Sequence, residues 1–490
     1  MKRRTKIALG VLLGLALGAG WHIHRWGQPV PPAYERVAPG HYRLLAGAET
    51  IYVAEDADGD GTIDRVYPEG APARGFRRPA PGDANSRWLI VCLDGVPYAE
   101  LKALWNEGYF REFFSPSESI APFPSDSETA LTDAFHADPA PGYEHLYFNR
   151  AENQLRGGMR ATLTEEQIPY LALLDYDMGG LFKGITYFLP RKSYRADLGR
   201  LRQRFLESNE KIYLAHIASS DSLYHIFSRE EMRALLVEVD SLLRELYYAS
   251  AGKLRITLFS DHGNSLVTSR PVPLQTFLAE HGWRLTSSLA GPRDVAVPAY
   301  GLVGFMAVYC QPAAVRALAR TLAEMEGVDL VVTATDGGVA IESRRGRAQL
   351  DWTPNGEQFR YRTEQGDPLA LEPLLAQLAR AGKMSSDGYV ADADLFAATA
   401  RHRYPDPAYR LREWARNHVR NRADILVSFA PGYHQGSRVF DRIVTLQSAH
   451  GSLDRAQSTG FAMSTDGPLP RVLRSQDLLP ADLSKHKHTP

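Results

Sequence analysis

Apolar residues fall into two kinds of run along this chain. RWLIVCLDGV from Arg87, KIYLAHIAS from Lys211 and LRITLFSDHG from Leu254 are short, nearly unbroken apolar stretches that end in polar residues. Between them lie segments whose apolar positions recur every three or four residues. AELKALWNEG from Ala99 is one, and REEMRALLVEVDSLLRELYYA from Arg229 is another, with Met232, Leu235, Leu236, Val239, Leu242, Leu243 and Leu246 along one stripe. The first kind predicts strands buried on both faces, the second amphipathic helices. Their alternation predicts an α/β fold: a doubly wound, mainly parallel sheet covered on both sides.

The style changes between about Ala290 and Ala423. LVGFMAVYC, a helical AAVRALARTLAEM, then VDLVVTAT, GVAIESR, RAQLDW and FRYRT predict short, mostly antiparallel strands, with further helices near ALEPLLAQLARAG and AYRLREWARNH. ADILVSFA and DRIVTLQSAHGS then return to the earlier apolar style. The reading is an α+β cap (291–422) inserted into a core that runs over 87–290 and resumes at 423–490. Upstream, residues 28–86 read as a proline-rich linker followed by a β-hairpin around DADGDGTID. There Asp56, Asp58, Asp60 and Asp64 occupy positions one, three, five and nine of a calcium loop with Gly61 at position six, although Tyr67 stands where a bidentate glutamate is usual. Calcium and a plain acidic turn are the two readings of this stretch.

Composition narrows the class. Lys and Arg number 56 against 57 Asp and Glu, so no global charge draws the chain to a nucleic-acid duplex, and electrostatic selectivity has to be local. The two cysteines, Cys92 and Cys310, lie in apolar strand patterns and read as buried thiols. Residues 1–27 place Lys2, Arg3, Arg4 and Lys6 before an apolar run, as in a signal peptide or a short membrane anchor. The expected location is outside the cytoplasmic membrane, in the periplasm or on the membrane's outer face.

Ligands of open α/β sheets bind beyond the carboxyl ends of the strands. Asp94 follows the first apolar run, Asp221 and His225 the second, Asp261 and His262 the third, and His450 the last. Taken singly, each has a plain reading: Asp221 as a helix N-cap, His225 as a first-turn histidine, His450 as a core or surface residue. Together, three carboxylates and three imidazoles at equivalent positions form a nitrogen and oxygen donor set suited to zinc or a similar divalent ion. FPSDSETALTDAF adds three hydroxyls, Ser125, Ser127 and Thr129, at a helix start where free amides favour an anion.

VCLDGV, PFPSDSETALT, SSDSLYH, FSDHGN and SAHGS, in this order, resemble the alkaline phosphatase superfamily and, within it, the type I phosphodiesterase/nucleotide pyrophosphatase branch. The resemblance implies an alkaline phosphatase-like core. It also implies two divalent ions, zinc first and manganese or iron next, one held by Asp94, Ser127, Asp261 and His262 and the other by Asp221, His225 and His450. Pro122 stands where that branch has a hydroxyl before its aromatic-proline pair, whereas Asp126-Ser127 at a helix start resembles the Asp-Ser of classical alkaline phosphatases. Ser127 is therefore the expected nucleophile, with Ser125 and Thr129 as alternatives.

The implied activity is exported, metal-dependent hydrolysis of phosphoric mono- or diesters, with a phosphorylated small molecule, lipid or nucleotide as substrate. The alternatives are a sulfatase-like enzyme, whose usual Cys-x-Pro-x-Arg motif is absent here, a phosphoethanolamine-type transferase, of a kind that usually carries several membrane spans, and a non-catalytic envelope binding protein. A cofactor-independent phosphoglycerate mutase does not suit an exported chain, and a non-catalytic envelope binding protein does not need the full ligand set. His216 reads as a packed histidine and Asp240 as a helix-face carboxylate or an outer partner of the site. Asn264 reads as a loop residue near the site, and the arginines from Arg401 to Arg422 as a solvated helix face.

Overall fold

The computed structural model describes residues 34–46, 49–78, 86–164, 168–416, 418–437, 441 and 445–483. The basic and apolar leader lies outside them, and among the described residues no helix is long and apolar enough to cross a membrane.

The three continuous apolar runs are neighbours in one six-stranded sheet. Its strands are β1 (Arg87–Leu93), β2 (Ser117–Ile120), β3 (Ile212–Ile217), β4 (Leu254–Phe259), β5 (Thr459–Ser464) and β6 (Val472–Arg474), in the order β3-β1-β4-β5-β2-β6. β3 and β4 flank β1 in parallel, and β5 alone runs against the rest. Burial on both faces explains the unbroken composition of β1. Leu89, Val91 and Leu93 pack into a cluster with leucines of α1 (Tyr98–Glu107), α3 (Pro190–Glu207) and α5 (Arg229–Ala249). Ile90 and Cys92 belong to a second cluster with Leu131 and Ala134 of α2 (Ser127–Ala134). All seven predicted stripe residues of α5 are buried, and Ser228 and Glu231 close its start with a capping box. Cys92 and Cys310 are free and buried, as expected.

A nine-stranded sheet forms the other large body. Its strand Ile425–Phe429 runs antiparallel between Phe305–Cys310 and Val328–Thr335. This corrects the assignment of ADILVSFA to the parallel core: an interior strand is apolar on both faces in whichever sheet it joins. Helix Val315–Ala323 contributes Leu318 and Leu322 to the apolar cluster on one face of this sheet, and helix α6 (Pro407–Ala415) contributes Leu411 and Trp414 to the cluster on the other. The strand expected in DRIVTLQ falls partly on residues 442–444, outside the described residues. The strand that completes the core sheet is β5, TGFAMS, which the hydropathy pattern did not single out.

At the other end, residues 34–77 make a five-stranded antiparallel sheet. The expected linker therefore contains a strand, Tyr34–Ala38, while the expected hairpin pairs Glu49–Glu55 with Arg65–Tyr67. Its acidic loop leans on the core, where Arg111 donates to the Gly61 carbonyl at 2.9 Å and accepts from the Ile63 amide at 2.6 Å.

Candidate metal centre

Each short loop at the carboxyl edge of the central strands delivers a polar side chain. β1 ends at Leu93 and Asp94 follows; β4 ends at Phe259 and Ser260-Asp261-His262 follow. Beyond β3, helix α4 (Ser219–Ile226) carries Asp221 in its first turn and His225 one turn later, so the spacing of four puts both on one face. His450 arrives differently. Because β5 is antiparallel, the segment that enters it begins at the same edge of the sheet, and His450 lies on that segment.

These six side chains converge. Donor atoms of Asp94, Asp261 and His262 lie within 4.8 Å of one another, as do those of Asp221, His262 and His450. His262 thus stands between two groups. The second imidazole of the expected Asp221 set, His225, brings Nε2 to 3.0 Å from Asp221 Oδ2. Ser127, the first residue of α2, places Oγ 3.3 Å from both oxygens of Asp94. The alternative hydroxyls turn inward. Thr129 donates to the Pro124 carbonyl at 2.6 Å, and fully buried Ser125 has the Pro122 and Ser452 carbonyls at 2.9 and 3.1 Å.

The imidazoles share one orientation. Nδ1 of His225 faces the Ser448 carbonyl at 2.9 Å, that of His262 the Gly263 carbonyl at 3.0 Å, and that of His450 the Ser125 carbonyl at 3.1 Å. A carbonyl only accepts, so Nδ1 carries a proton in each ring, and Nε2 is the nitrogen turned toward the cluster. Outer partners of metal-binding histidines do this. His262 Nε2 and Asp261 Oδ2 are buried without a hydrogen-bond partner, a costly state that a cation would relieve. The donors present fit two ions of the zinc class.

Electrostatics agree with a site short of positive charge. Burial and then the neighbouring Asp261 push the Asp94 carboxyl up to about 7, against the opposing His216 hydrogen bond. Burial also acts to raise Asp221, but His225 and His450 outweigh it and hold the carboxyl well below its usual range. His450 is pushed down to about 3 by burial and then by His262.

Two neighbours carry more than their sequence readings. His216, packed in β3 as expected, also bridges Asp94 Oδ2 at 3.1 Å and Asp177 Oδ1 at 3.0 Å. The signal was an imidazole inside an apolar strand. Asn264 donates to the Gly95 carbonyl at 3.1 Å and to Asp221 Oδ1 at 3.3 Å, so it belongs to the site. Asp240 does not: it accepts from the Phe110 amide and from Arg244. The arginine run is no solvated face throughout, since Arg410 and Arg412 are buried. In the acidic loop, donor atoms of Asp56, Asp58 and Asp64 come within 4.8 Å of one another, while Asp60 accepts from the Thr62 amide.

No family model matches the chain, and no curated protein matches it by sequence. Among solved structures it is similar to a phosphonoacetate hydrolase and to ectonucleotide pyrophosphatases/phosphodiesterases. Phosphonoacetate hydrolase from Sinorhizobium meliloti, in complex with phosphonoformate, is 13% identical with a TM-score of 0.42, over 82% of this chain and 95% of that one. Human ectonucleotide pyrophosphatase/phosphodiesterase 5 is 11% identical with a TM-score of 0.43, over 80% and 92%. The murine form is 12% identical with a TM-score of 0.41, over 80% and 92%.

Proposed function

We propose that this protein is a metal-dependent hydrolase of phosphoric esters that uses Ser127 as its nucleophile. The observation that carries the reading is the common orientation of His225, His262 and His450, each fixed through Nδ1 so that three Nε2 atoms face three carboxylates beside one hydroxyl. Asp94, Asp261 and His262 would hold one ion near Ser127, and Asp221, His225 and His450 the other. Such ions, when bound, supply positive charge to phosphate oxygens and make a nearby hydroxyl acidic.

The chain's own residues supply the rest. Asp126 caps α2 through the Thr129 amide, and the remaining free amides of that helix end face an anion favourably. Ser127 Oγ forms a bond to phosphorus as the bond to the leaving oxygen breaks, and Asp94 is the acceptor in reach of the hydroxyl proton. Water then cleaves the serine ester, one proton returning to Ser127 Oγ, and releases phosphate from a monoester or a phosphomonoester from a diester. His216, held by Asp94 and Asp177, fixes the Asp94 carboxylate in place. The basic and apolar leader supports an exported protein, and the change of style after Ala290 supports a core with an inserted cap that shapes substrate access.

The test is divalent-metal content together with 4-nitrophenol release from mono- and bis-(4-nitrophenyl) phosphate. Ser127→Ala is expected to keep its metal while turnover falls by about three orders of magnitude or more. Metal-free parent protein with no turnover on either ester would overturn the reading, and full turnover by Ser127→Ala would remove the serine from it.

A further inference from the structure

Arg410 belongs to the cap helix α6, and its side chain is 1% exposed. Its partners are neutral oxygens. Nη1 donates to the Pro405 carbonyl at 3.1 Å and the Leu453 carbonyl at 3.0 Å, and Nη2 to Ser125 Oγ at 2.9 Å and the Pro122 carbonyl at 3.3 Å. Burial pushes its pKa down to about 9. A buried cation without a bonded carboxylate is costly, and an apolar side chain of similar volume would serve packing alone at less cost.

The placement of those oxygens explains what the guanidinium does. Pro122 and Ser125 belong to the turn that leads into Ser127, and Leu453 to the segment that carries His450. Ser125 already laces the two segments together: its amide donates to the Gly451 carbonyl at 3.1 Å, and its own carbonyl faces His450 Nδ1. One planar fork bonded to both segments fixes their separation, which a point charge such as lysine does not do. A second contact from the same region reaches the far end of α2, where His418 Nε2 lies 2.6 Å from Asp133 Oδ1.

We propose that Arg410 is a positioning residue that holds the nucleophile turn and the His450 segment at a fixed separation, so that the cap sets the geometry between Ser127 and His450. The consequence for turnover rests on the hydrolase reading above; the effect on His450 itself does not.

The experiment compares the parent with Arg410→Met, Arg410→Lys, Ser125→Ala and the Arg410→Met/Ser125→Ala double variant. It measures metal per chain, release of metal to a chelator, kcat and KM on bis-(4-nitrophenyl) phosphate per metal-loaded chain, and the imidazole nitrogen signals of the metal-free proteins. Arg410→Met is expected to lower kcat per loaded chain about 100-fold with KM little changed. It should also release one of two ions about 10-fold more readily. Arg410→Lys and Ser125→Ala shift both in the same direction, and the double variant is no worse than Arg410→Met. In the metal-free proteins the His450 signal moves and that of His225 does not.

A lower thermal midpoint with unchanged kcat per loaded chain and an unmoved His450 signal makes Arg410 structural only and overturns the proposal. Should Arg410→Met fail to fold, Arg410→Lys and Ser125→Ala carry the same test. A parent without metal or turnover, in which the His450 signal still moves on substitution of Arg410, overturns the hydrolase reading and upholds the positioning role.

Discussion

The imidazole of His262 lies flat against that of His450, with ring centroids 4.0 Å apart and planes 11° from parallel. Two protonated rings would repel at that distance, and His450 is the one driven neutral. The stack therefore presents two Nε2 atoms to the same volume that Asp94, Asp221 and Asp261 crowd with negative charge.

That crowding predicts a large response to metal removal. Stripping divalent ions with a chelator is expected to lower the thermal midpoint by several degrees, since ions at a thousand times their dissociation constant contribute about 4 kcal/mol to folding. Asp261→Asn should narrow the gap, because it removes one buried charge from the metal-free state and one donor from the loaded state. Differential scanning calorimetry with and without added zinc checks this. Coincident transitions would show that the cluster holds no ion.

Gly95 predicts a second effect. It sits at φ +70°, and a Cβ there would lie 2.7 Å from Asp221 Oδ1 and 2.8 Å from Asn264 Nδ2. Gly95→Ala is expected to cost about 1–3 kcal/mol through backbone strain. By displacing Asp221 it should also weaken metal binding about 10-fold. Chemical denaturation and chelator competition measure the two separately; a variant that binds metal like the parent would remove Asp221 from the ligand set.

Asp197 predicts a pH dependence. It is buried on α3, accepts from Ser219 Oγ and Tyr176 Oη, each at 2.6 Å, and so ties α3 to the start of α4. Burial pushes its carboxyl up to about 6, against those hydrogen bonds. An unfolded aspartate titrates near pH 4, so the folded state binds the proton more tightly. The associated stability is fully present below about pH 4 and is lost as pH rises through about 6, a change of about 2–3 kcal/mol. Asp197→Asn is expected to flatten unfolding free energy across that window while losing about 1 kcal/mol of hydrogen bonding at every pH. Urea titrations at four pH values decide it: an unchanged slope would mean that Asp197 stays ionised when folded.

The legible part of the site followed from burial. A strand covered on both faces is written as an unbroken apolar run, so the residues just past β1, β3 and β4 could be named from the chain alone. The same rule misplaced Ile425–Phe429, because both-face burial does not say which sheet provides it. It missed β5 as well, since TGFAMS is short and carries polar residues at both ends. His450 was named as a donor from a strand expected in DRIVTLQ, part of which lies outside the described residues; antiparallel β5 brings His450 to the correct edge.

Residue order by itself determined the α/β class, the central strands and the list of donors, because periodicity and composition record how much of each element is buried. Only the tertiary structure decided that His262 stands between two groups of donors, that Asp94 leans on His216, and that Arg410 is bound from Pro122 and Leu453 rather than solvated. The reason is that a polar side chain's partners are set by distance in space. For Arg410 one of them is 288 positions away along the chain, where no local pattern records it.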